Sequence, residues 1–261
     1  MSYRNKNGTK SVSLMKSRTS HIAVVLCKPR VAGNVGAVAR CGKNMGIDRL
    51  IVVGNQMLDR DEMYRLATHE ASERIDEIVH TPSLETALAD FQYVVGTTAR
   101  LGNARGPVVS PREMAEQVGG VSQENRVALV FGPEDTGLTN EELRFCHLVV
   151  NIPTVEFRSL NLSHAVMILC YEILVWQSMS ERPAIPKLAT SYELEGMYGQ
   201  IRDLLTKIGF LNPQNPEYWM MHLRRLFART ALLAKEVKII RGICRQLEWF
   251  TANAGERDEK T

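Results

Sequence analysis

The residue types best suited to chemistry lie in the stretch Ile152-Pro-Thr-Val-Glu-Phe-Arg-Ser-Leu-Asn-Leu162, which runs straight into the apolar segment Ser163–Gln177. It opens as the exit of a hydrophobic strand, Leu148–Ile152, that Pro153 stops by removing a backbone donor. It closes on Ser159, Asn161 and Ser163, side chains able to cap the free N–H groups of a helix. A polar, capped turn between a strand and a buried helix is where parallel α/β sheets hold ligands. Taken alone, these residues fit an ordinary strand-to-helix connection equally well. Two other turns tip the balance: Thr97-Thr-Ala-Arg-Leu-Gly102 and Gly132-Pro-Glu-Asp-Thr-Gly-Leu138, each following an apolar run. In a parallel sheet three such turns gather at one edge and can form one pocket.

None of the three is a phosphate motif. Gly132–Leu138 lacks the Gly-Lys-Ser/Thr ending of a P-loop, and the first helix lacks G-x-G-x-x-G. Nucleoside triphosphatase and dinucleotide chemistry are therefore disfavoured. That first helix follows the apolar run His21–Cys27 and is expected from an N-cap at Asn34 to a stop at Gly46. Val35, Val38, Ala39, Gly42 and Met45 share one face; Gly36, Arg40 and Lys43 lie on the other. Gly36 sits one turn before Arg40 and would leave its side chain unobstructed. Glycine inside a helix costs about 1 kcal/mol relative to alanine, so these glycines need a reason, such as close packing or close ligand approach. On periodicity alone Arg40 is a solvated surface arginine.

The whole chain, 261 residues with 44% hydrophobic and 23% charged, is ordinary for a globular protein of one large or two modest domains. A net charge of +3 is unevenly spread: the first twenty residues carry Arg4, Lys6, Lys10, Lys16 and Arg18 and no acid. They lack an apolar run and read as a disordered basic arm, not a signal peptide or anchor. The five cysteines form no C-x-x-C pair and sit mostly in apolar surroundings, which points to reduced thiols in a cytoplasm. The six histidines form no metal-ligand cluster, and no uncharged apolar stretch is long enough to span a bilayer.

The elements that must position these turns alternate. Strands are expected at 21–27, 49–54, 93–96, 126–131 and 148–152, with helices at 82–90, 111–118, after the capping box Thr139–Glu142, and over 165–176. The region 59–78 reads as helical in pieces. Such alternation points to a mostly parallel α/β sheet. Glu181–Thr190 reads as a linker. A second capping box, Thr190–Glu193, opens a helix with Leu194, Met197, Ile201, Leu204, Leu205 and Ile208 on one face, stopped at Gly209. After a turn-rich break at 212–218, the segment to Phe250 is helical and basic, with Arg224, Arg225, Arg229, Lys235, Lys238, Arg241 and Arg245. Leu226, Leu233, Ile240 and Leu247 recur every seven residues, which suits packing against another helix. The tail after Thr251 reads as polar and frayed.

Asn34-Val-Gly-Ala-Val-Ala-Arg40, Phe131-Gly-Pro-Glu-Asp-Thr-Gly-Leu138 and Ser159-Leu-Asn-Leu162 together resemble, in order and spacing, the three motifs of SPOUT-class RNA ribose 2′-O-methyltransferases, and within them the TrmH-type, TrmJ-like group. The resemblance covers about residues 20–180. It implies an α/β fold with a parallel SPOUT sheet and a deep C-terminal trefoil knot, followed here by a small all-α C-terminal extension. The division would be an arm at 1–20, a methyltransferase domain at 21–180, and a linker with helical domain at 181–261. It also implies S-adenosylmethionine (AdoMet) bound among the three turns of a homodimer acting on tRNA. The substrate group would be a ribose 2′-hydroxyl in the anticodon loop, at nucleotide 32, cytidine or uridine. A ribosomal-RNA methyltransferase of the same superfamily, or an inactive RNA-binding dimer scaffold, is the alternative.

Carried over by position, Thr97, Thr98 and Ala99 match the first cofactor loop, Gly132 and Glu134 the second, and Ile152, Ser159, Leu160 and Asn161 the third. Asn34 and Arg40 match the catalytic motif, with Ser159 and Asn161 holding substrate and loop. Where the family's second loop often has a basic residue, this chain has Pro133. The family gives the matching arginine the role of base. A guanidinium holds its proton firmly, so stabilising the developing alkoxide is the other role open to Arg40.

Overall fold

The structure, a computed structural model, describes residues 19–99, 108–155, 160–179 and 184–253. The basic arm thus lies almost wholly outside the described residues. So do Arg100–Gly102 of the first turn, Ser159, and Glu181–Pro183 at the start of the expected linker.

The α/β part runs β1 (Ile22–Cys27), α1 (Ala32–Met45), β2 (Arg49–Val53), α2 (Arg60–Ala71), α3 (Glu73–Asp76), β3 (Val79–Thr81), α4 (Leu84–Leu88), β4 (Tyr93–Thr97), β5 (Val108–Val109), α5 (Pro111–Val121), β6 (Val127–Phe131), α6 (Asn140–Leu143), β7 (Leu148–Val150) and α7 (Leu162–Met179). The strands form one seven-stranded sheet in the order β3-β2-β1-β6-β4-β7-β5, and every pairing is parallel. β1 explains why both faces are covered: Ile22, Val24 and Leu26 point into a core with α1, α2, α5 and α7, while Ala23, Val25 and Cys27 point into a second core with α4 and α6. A strand apolar on both faces reads as a continuous hydrophobic run, as His21–Cys27 does. β3 and β5 escape sequence reading because they are three and two residues long, and β3 exposes Val79 and His80.

Because β6, β4 and β7 are adjacent and parallel, the loops after them leave the same edge of the sheet. Two side chains bind these exits together. Thr97 Oγ1 donates to the Val130 carbonyl at 3.1 Å, and Asn151 Nδ2 donates to the Thr98 carbonyl at 2.8 Å.

Local expectations fared unevenly. Gly46 ends α1 in the left-handed region, at φ 72°, with its N–H bonded to the Gly42 carbonyl. Asn34 is not the N-cap: the helix starts at Ala32 behind Val31, which places Asn34 in its first turn. Gly36 does not open a path for Arg40. It is buried against α2, where a Cβ would collide with the Met63 carbonyl, so close helix packing is its reason. Both capping boxes form, at Thr139 and Thr190. A third, Ser110 with Glu113, opens α5.

The helical extension comprises α8 (Ser191–Lys207), α9 (Pro216–Ala228) and α10 (Ala234–Asn253). Leu194, Met197, Ile201 and Leu204 pack with Leu211, Met220, Val237 and Cys244 in its own core. Ile208 instead is exposed, and the chain breaks between Ala228 and Ala234, so the seven-residue stripe is not one continuous face; Leu226 and Leu247 are exposed. α10 runs to Asn253, past the point where the sequence predicts fraying. The described part of the connector is strapped down. Buried Asn125 donates to the carbonyls of Ile185 and Pro186 and accepts from the Leu188 N–H, and the Ser191 N–H bonds the Phe91 carbonyl.

Candidate active site

The three loops enclose a cleft of about 360 Å³. Its floor is apolar: Phe131, Leu138, Val150, Ile152, Leu160, Leu162 and Ala165. Its rim is supplied by Thr97, Thr98 and Ala99 from one loop and by Gly132 to Gly137 from another. An apolar chamber with a few polar groups at its edge is the usual form of a small-molecule site, and the volume falls in the range of roughly 300–1,000 Å³ for such sites. Of the residues expected to hold a cofactor, Thr97, Thr98, Ala99, Gly132, Glu134, Ile152 and Leu160 line this cleft. Ser159 lies outside the described residues, and Asn161 stands beside the cleft rather than in its lining.

Asn161 has a defined task. Its Oδ1 accepts from the backbone N–H of Ser163 at 2.9 Å and from the Ser163 hydroxyl at 2.7 Å, which caps α7. With its oxygen so used, its Nδ2 donates to Asn34 Oδ1 at 2.9 Å. Asn34 Nδ2 in turn donates to Glu134 Oε1 at 2.8 Å. Glu134 also accepts from the N–H groups of Arg30 at 2.9 Å and Val31 at 3.3 Å, just ahead of α1. The backbone bond at Ser163 fixes the sense of the whole relay, from the N-terminus of α7 through two amides to a carboxylate at the N-terminus of α1. Burial pushes the Glu134 carboxyl up, but the bonds from Asn34, Arg30 and Val31 outweigh it and hold the pKa below the usual carboxylate value. An ion pair between Arg30 and Asp135, at 2.8 Å, ties the same loop to α1's approach.

Gly132 has a backbone reason for being glycine. A Cβ there would collide with the Gly137–Leu138 backbone, so the loop closes on itself at that point. Arg40 is exposed on α1, makes no hydrogen bond or ion pair among the described residues, and is not part of the cleft lining. It follows α1 toward the start of α7, where neighbouring Cys41 packs its thiol at 3.7 Å from the Ser163 carbonyl. The single chain therefore joins Asn34, Glu134 and Asn161 into one unit and leaves Arg40 facing outward. Burial raises the thiols of Cys27 (to about 12), Cys146 and Cys170, so none of these is poised as a thiolate nucleophile.

Sequence reasoning missed Asn151, which joins the first and third loops, and the N–H donors of Arg30 and Val31. Asn151 was detectable as the one polar residue inside the run Leu148–Ile152. The backbone donors had no side-chain signature.

A parallel sheet with three loops gathered round one cleft is a frame that can hold a small cofactor, and sequence comparison gives the family: residues 21–171 match the SpoU rRNA Methylase family, and the chain belongs to that family. The helical extension narrows this further, since residues 192–259 match the C-terminal domain of the tRNA methyltransferase TrmJ. The tRNA (cytidine/uridine/adenosine-2′-O-)-methyltransferase TrmJ of Pseudomonas aeruginosa is 37% identical over 236 residues, 85% of this chain and 91% of that protein. The tRNA (cytidine/uridine-2′-O-)-methyltransferase TrmJ of Klebsiella pneumoniae is 36% identical, over 87% of this chain and 96% of that one. Among solved structures, TrmJ from Z. mobilis superposes with a TM-score of 0.76 at 28% identity, covering 87% of this chain and 98% of that chain.

Proposed function

We propose that this protein is an AdoMet-dependent tRNA methyltransferase that modifies a ribose 2′-hydroxyl in the anticodon loop, with a pyrimidine at nucleotide 32 as its target. The observation that carries this reading is the pairing of the loop-lined cleft with a TrmJ-type helical extension in one chain. AdoMet supplies a methyl group already activated on a sulfonium. The cleft suits such a molecule: its floor of Phe131, Leu138, Val150 and Leu160 accepts an apolar, planar group, and its rim offers loop backbone at Ala99 and Gly132. Thr97, Thr98, Ala99, Gly132, Ile152 and Leu160 hold it, with Ser159 completing the third loop. Glu134 lines the rim of the same cleft and shapes it, its oxygens accepting from Asn34, Arg30 and Val31.

The chain's own residues must then orient the ribose and manage one proton. Orientation is the larger contribution, up to roughly 7–11 kcal/mol, and the Asn161–Asn34–Glu134 relay supplies rigidity for it by locking two helix starts to one loop. Arg40 meets the 2′-oxygen or its neighbouring phosphate and stabilises the charge that develops as the hydroxyl loses its proton; service as the base is its other role. Because Arg40 lies outside its own chain's cleft, the working unit is a homodimer. The outer face of α7 supports this: Tyr171 is exposed, and Met167 and Leu174, which share its side of the helix, are only half-buried. A monomer by sedimentation that remained active would sink the dimer. The deep trefoil knot implied by the family likeness belongs to the same reading, supported by the placement of β7 between β4 and β5. Refolding from denaturant without a slow threading phase would count against it. The free cysteines, four of them buried, fit a cytoplasmic setting, where tRNA is modified.

The test is methyl transfer from labelled AdoMet by purified protein to bulk tRNA and, in parallel, to ribosomal RNA. Label in tRNA at nucleotide 32 supports the proposal. Transfer to ribosomal RNA alone would move the chain to the other branch of the family, and no transfer with intact RNA binding would leave a scaffold.

A further inference from the structure

Four rings crowd the corner where the helical extension turns from α8 into α9. Phe210 lies 6.2 Å from Trp219, Tyr218 lies 5.9 Å from Trp219 and 5.1 Å from His222, and Trp219 lies 6.0 Å from His222, all between ring centroids. The extension does not use them as core: α9 faces inward through Met220, while Phe210, Tyr218 and Trp219 are 58%, 54% and 49% exposed and His222 is exposed. Mutual contact limits their rotamers, so they form a stiff apolar platform already in place before anything binds.

Helix geometry then sets cations in line with the rings. Tyr218, His222 and Arg225 follow at i, i+4 and i+7 on α9, and Arg229 caps the helix at i+11. The backbone positions of two rings and two arginines therefore share one side over about 16 Å, with Arg229 exposed and Arg225 half-buried, its Nη2 3.6 Å from Met221 Sδ. Neighbouring Arg224 belongs elsewhere: only 14% exposed, it is bidentate to Glu195 and lies 4.2 Å over the Tyr198 ring, which clamps α9 to α8 behind the platform. The acid beside Tyr218, Glu217, is 3.9 Å from Arg202.

We propose that this platform stacks unpaired nucleobases of the RNA substrate on Tyr218 and Trp219, while Arg225 and Arg229 meet the flanking phosphates. The inference rests on RNA being the substrate and deepens that reading by naming which part of an RNA the extension takes. Aromatic faces next to cations match unpaired RNA on both counts, since every base has a π-face and every linkage a charge. A duplex hides its bases and would use the arginines alone.

The full-length protein is titrated with bulk tRNA and with an unstructured oligouridylate at several salt concentrations. Tyr218→Ala with Trp219→Ala should weaken both by roughly 5- to 150-fold per stacked base lost, with the salt slope unchanged because no phosphate contact is removed. Tyr218→Phe with Trp219→Phe keeps the rings and should restore affinity. Arg225→Ala with Arg229→Ala should instead make the slope shallower, by roughly 0.7 per phosphate contact on a single strand. In the native protein, either RNA should quench tryptophan fluorescence, and Trp219→Phe should remove that quenching. Wild-type affinity in the double alanine variant, a changed oligomer in that variant, or no quenching of native Trp219 would each overturn the platform. If native protein binds RNA and transfers methyl groups in these cases, the proposed function stands without it. A native protein that binds neither RNA overturns both.

Discussion

Gly36→Ala is expected to unfold the protein's advantage at α1, and Gly199→Ala to do the opposite in α8. Both glycines sit inside helices, so alanine gains about 1 kcal/mol of helix propensity at each. At Gly199 nothing lies within 4 Å of the new Cβ, so that gain should appear almost undiminished. At Gly36 the new Cβ would meet the Met63 carbonyl closer than real Cβ atoms approach, and the obstacle is backbone, which cannot swing aside. Overpacking of this kind costs about 1–3 kcal/mol or more, and α1 must shift off α2 to relieve it. Because the obstacle is fixed backbone, the cost lies at the upper end of that range, and the net change is destabilisation of about 2 kcal/mol or more at Gly36 against stabilisation of up to about 1 kcal/mol at Gly199. At roughly 2–4 °C per kcal/mol for a domain of this size, the two melting temperatures should move in opposite directions. Because α1 also carries Asn34 and Arg40, methyl transfer should fall in Gly36→Ala and hold in Gly199→Ala. Thermal melts followed by circular dichroism, paired with the transfer assay, read both effects. A Gly36→Ala protein as stable and active as wild type would refute the reasoning that α1 is seated by this contact.

Arg40→Ala should keep AdoMet affinity and lose at least about 100-fold in transfer, with little rescue by lysine, whose point charge lacks the planar fork; calorimetry and single-turnover rates check this. Arg224→Ala should lower the melting temperature, because it strands Glu195 in a partly buried pocket, and should leave the salt slope of tRNA binding unchanged. Burial lowers the pKa of His147 to about 4, and its Nδ1 accepts the Val94 N–H at 3.2 Å while its ring stacks on Tyr93. A histidine whose folded pKa lies below its unfolded value of about 6.5 favours the folded state fully above 6.5. That stability is lost as pH falls toward 4, so urea unfolding should weaken across this window. An NMR titration placing His147 near its ordinary value would contradict this.

The parts of the fold written in long, locally consistent signals were legible in the sequence. β1, β2, β4 and β6 are runs buried on both faces, and the boxes at Thr139 and Thr190 are short-range chemistry that tertiary structure had no reason to override. Sites defined by what comes together from afar were less so. Asn34 has the composition of an N-cap, yet its amide is drawn to Glu134 a hundred residues away. Gly36 looks like part of a polar face until α2 is laid against it, and Arg224 looks like one more cation of a basic helical segment until Glu195 appears behind it. In each case a local preference lost to a partner that periodicity cannot name. The loop residues that line the cleft were found through the order of three motifs, because a shared sheet edge turns chain order into proximity.

The most direct test of the central claim is to digest tRNA, after reaction with methyl-labelled AdoMet, to nucleosides and identify the labelled species by mass spectrometry. The account predicts label on 2′-O-methylated nucleosides, retained by the wild-type protein and lost with Arg40→Ala. Label on a base, or equal labelling by the Arg40→Ala protein, would contradict it.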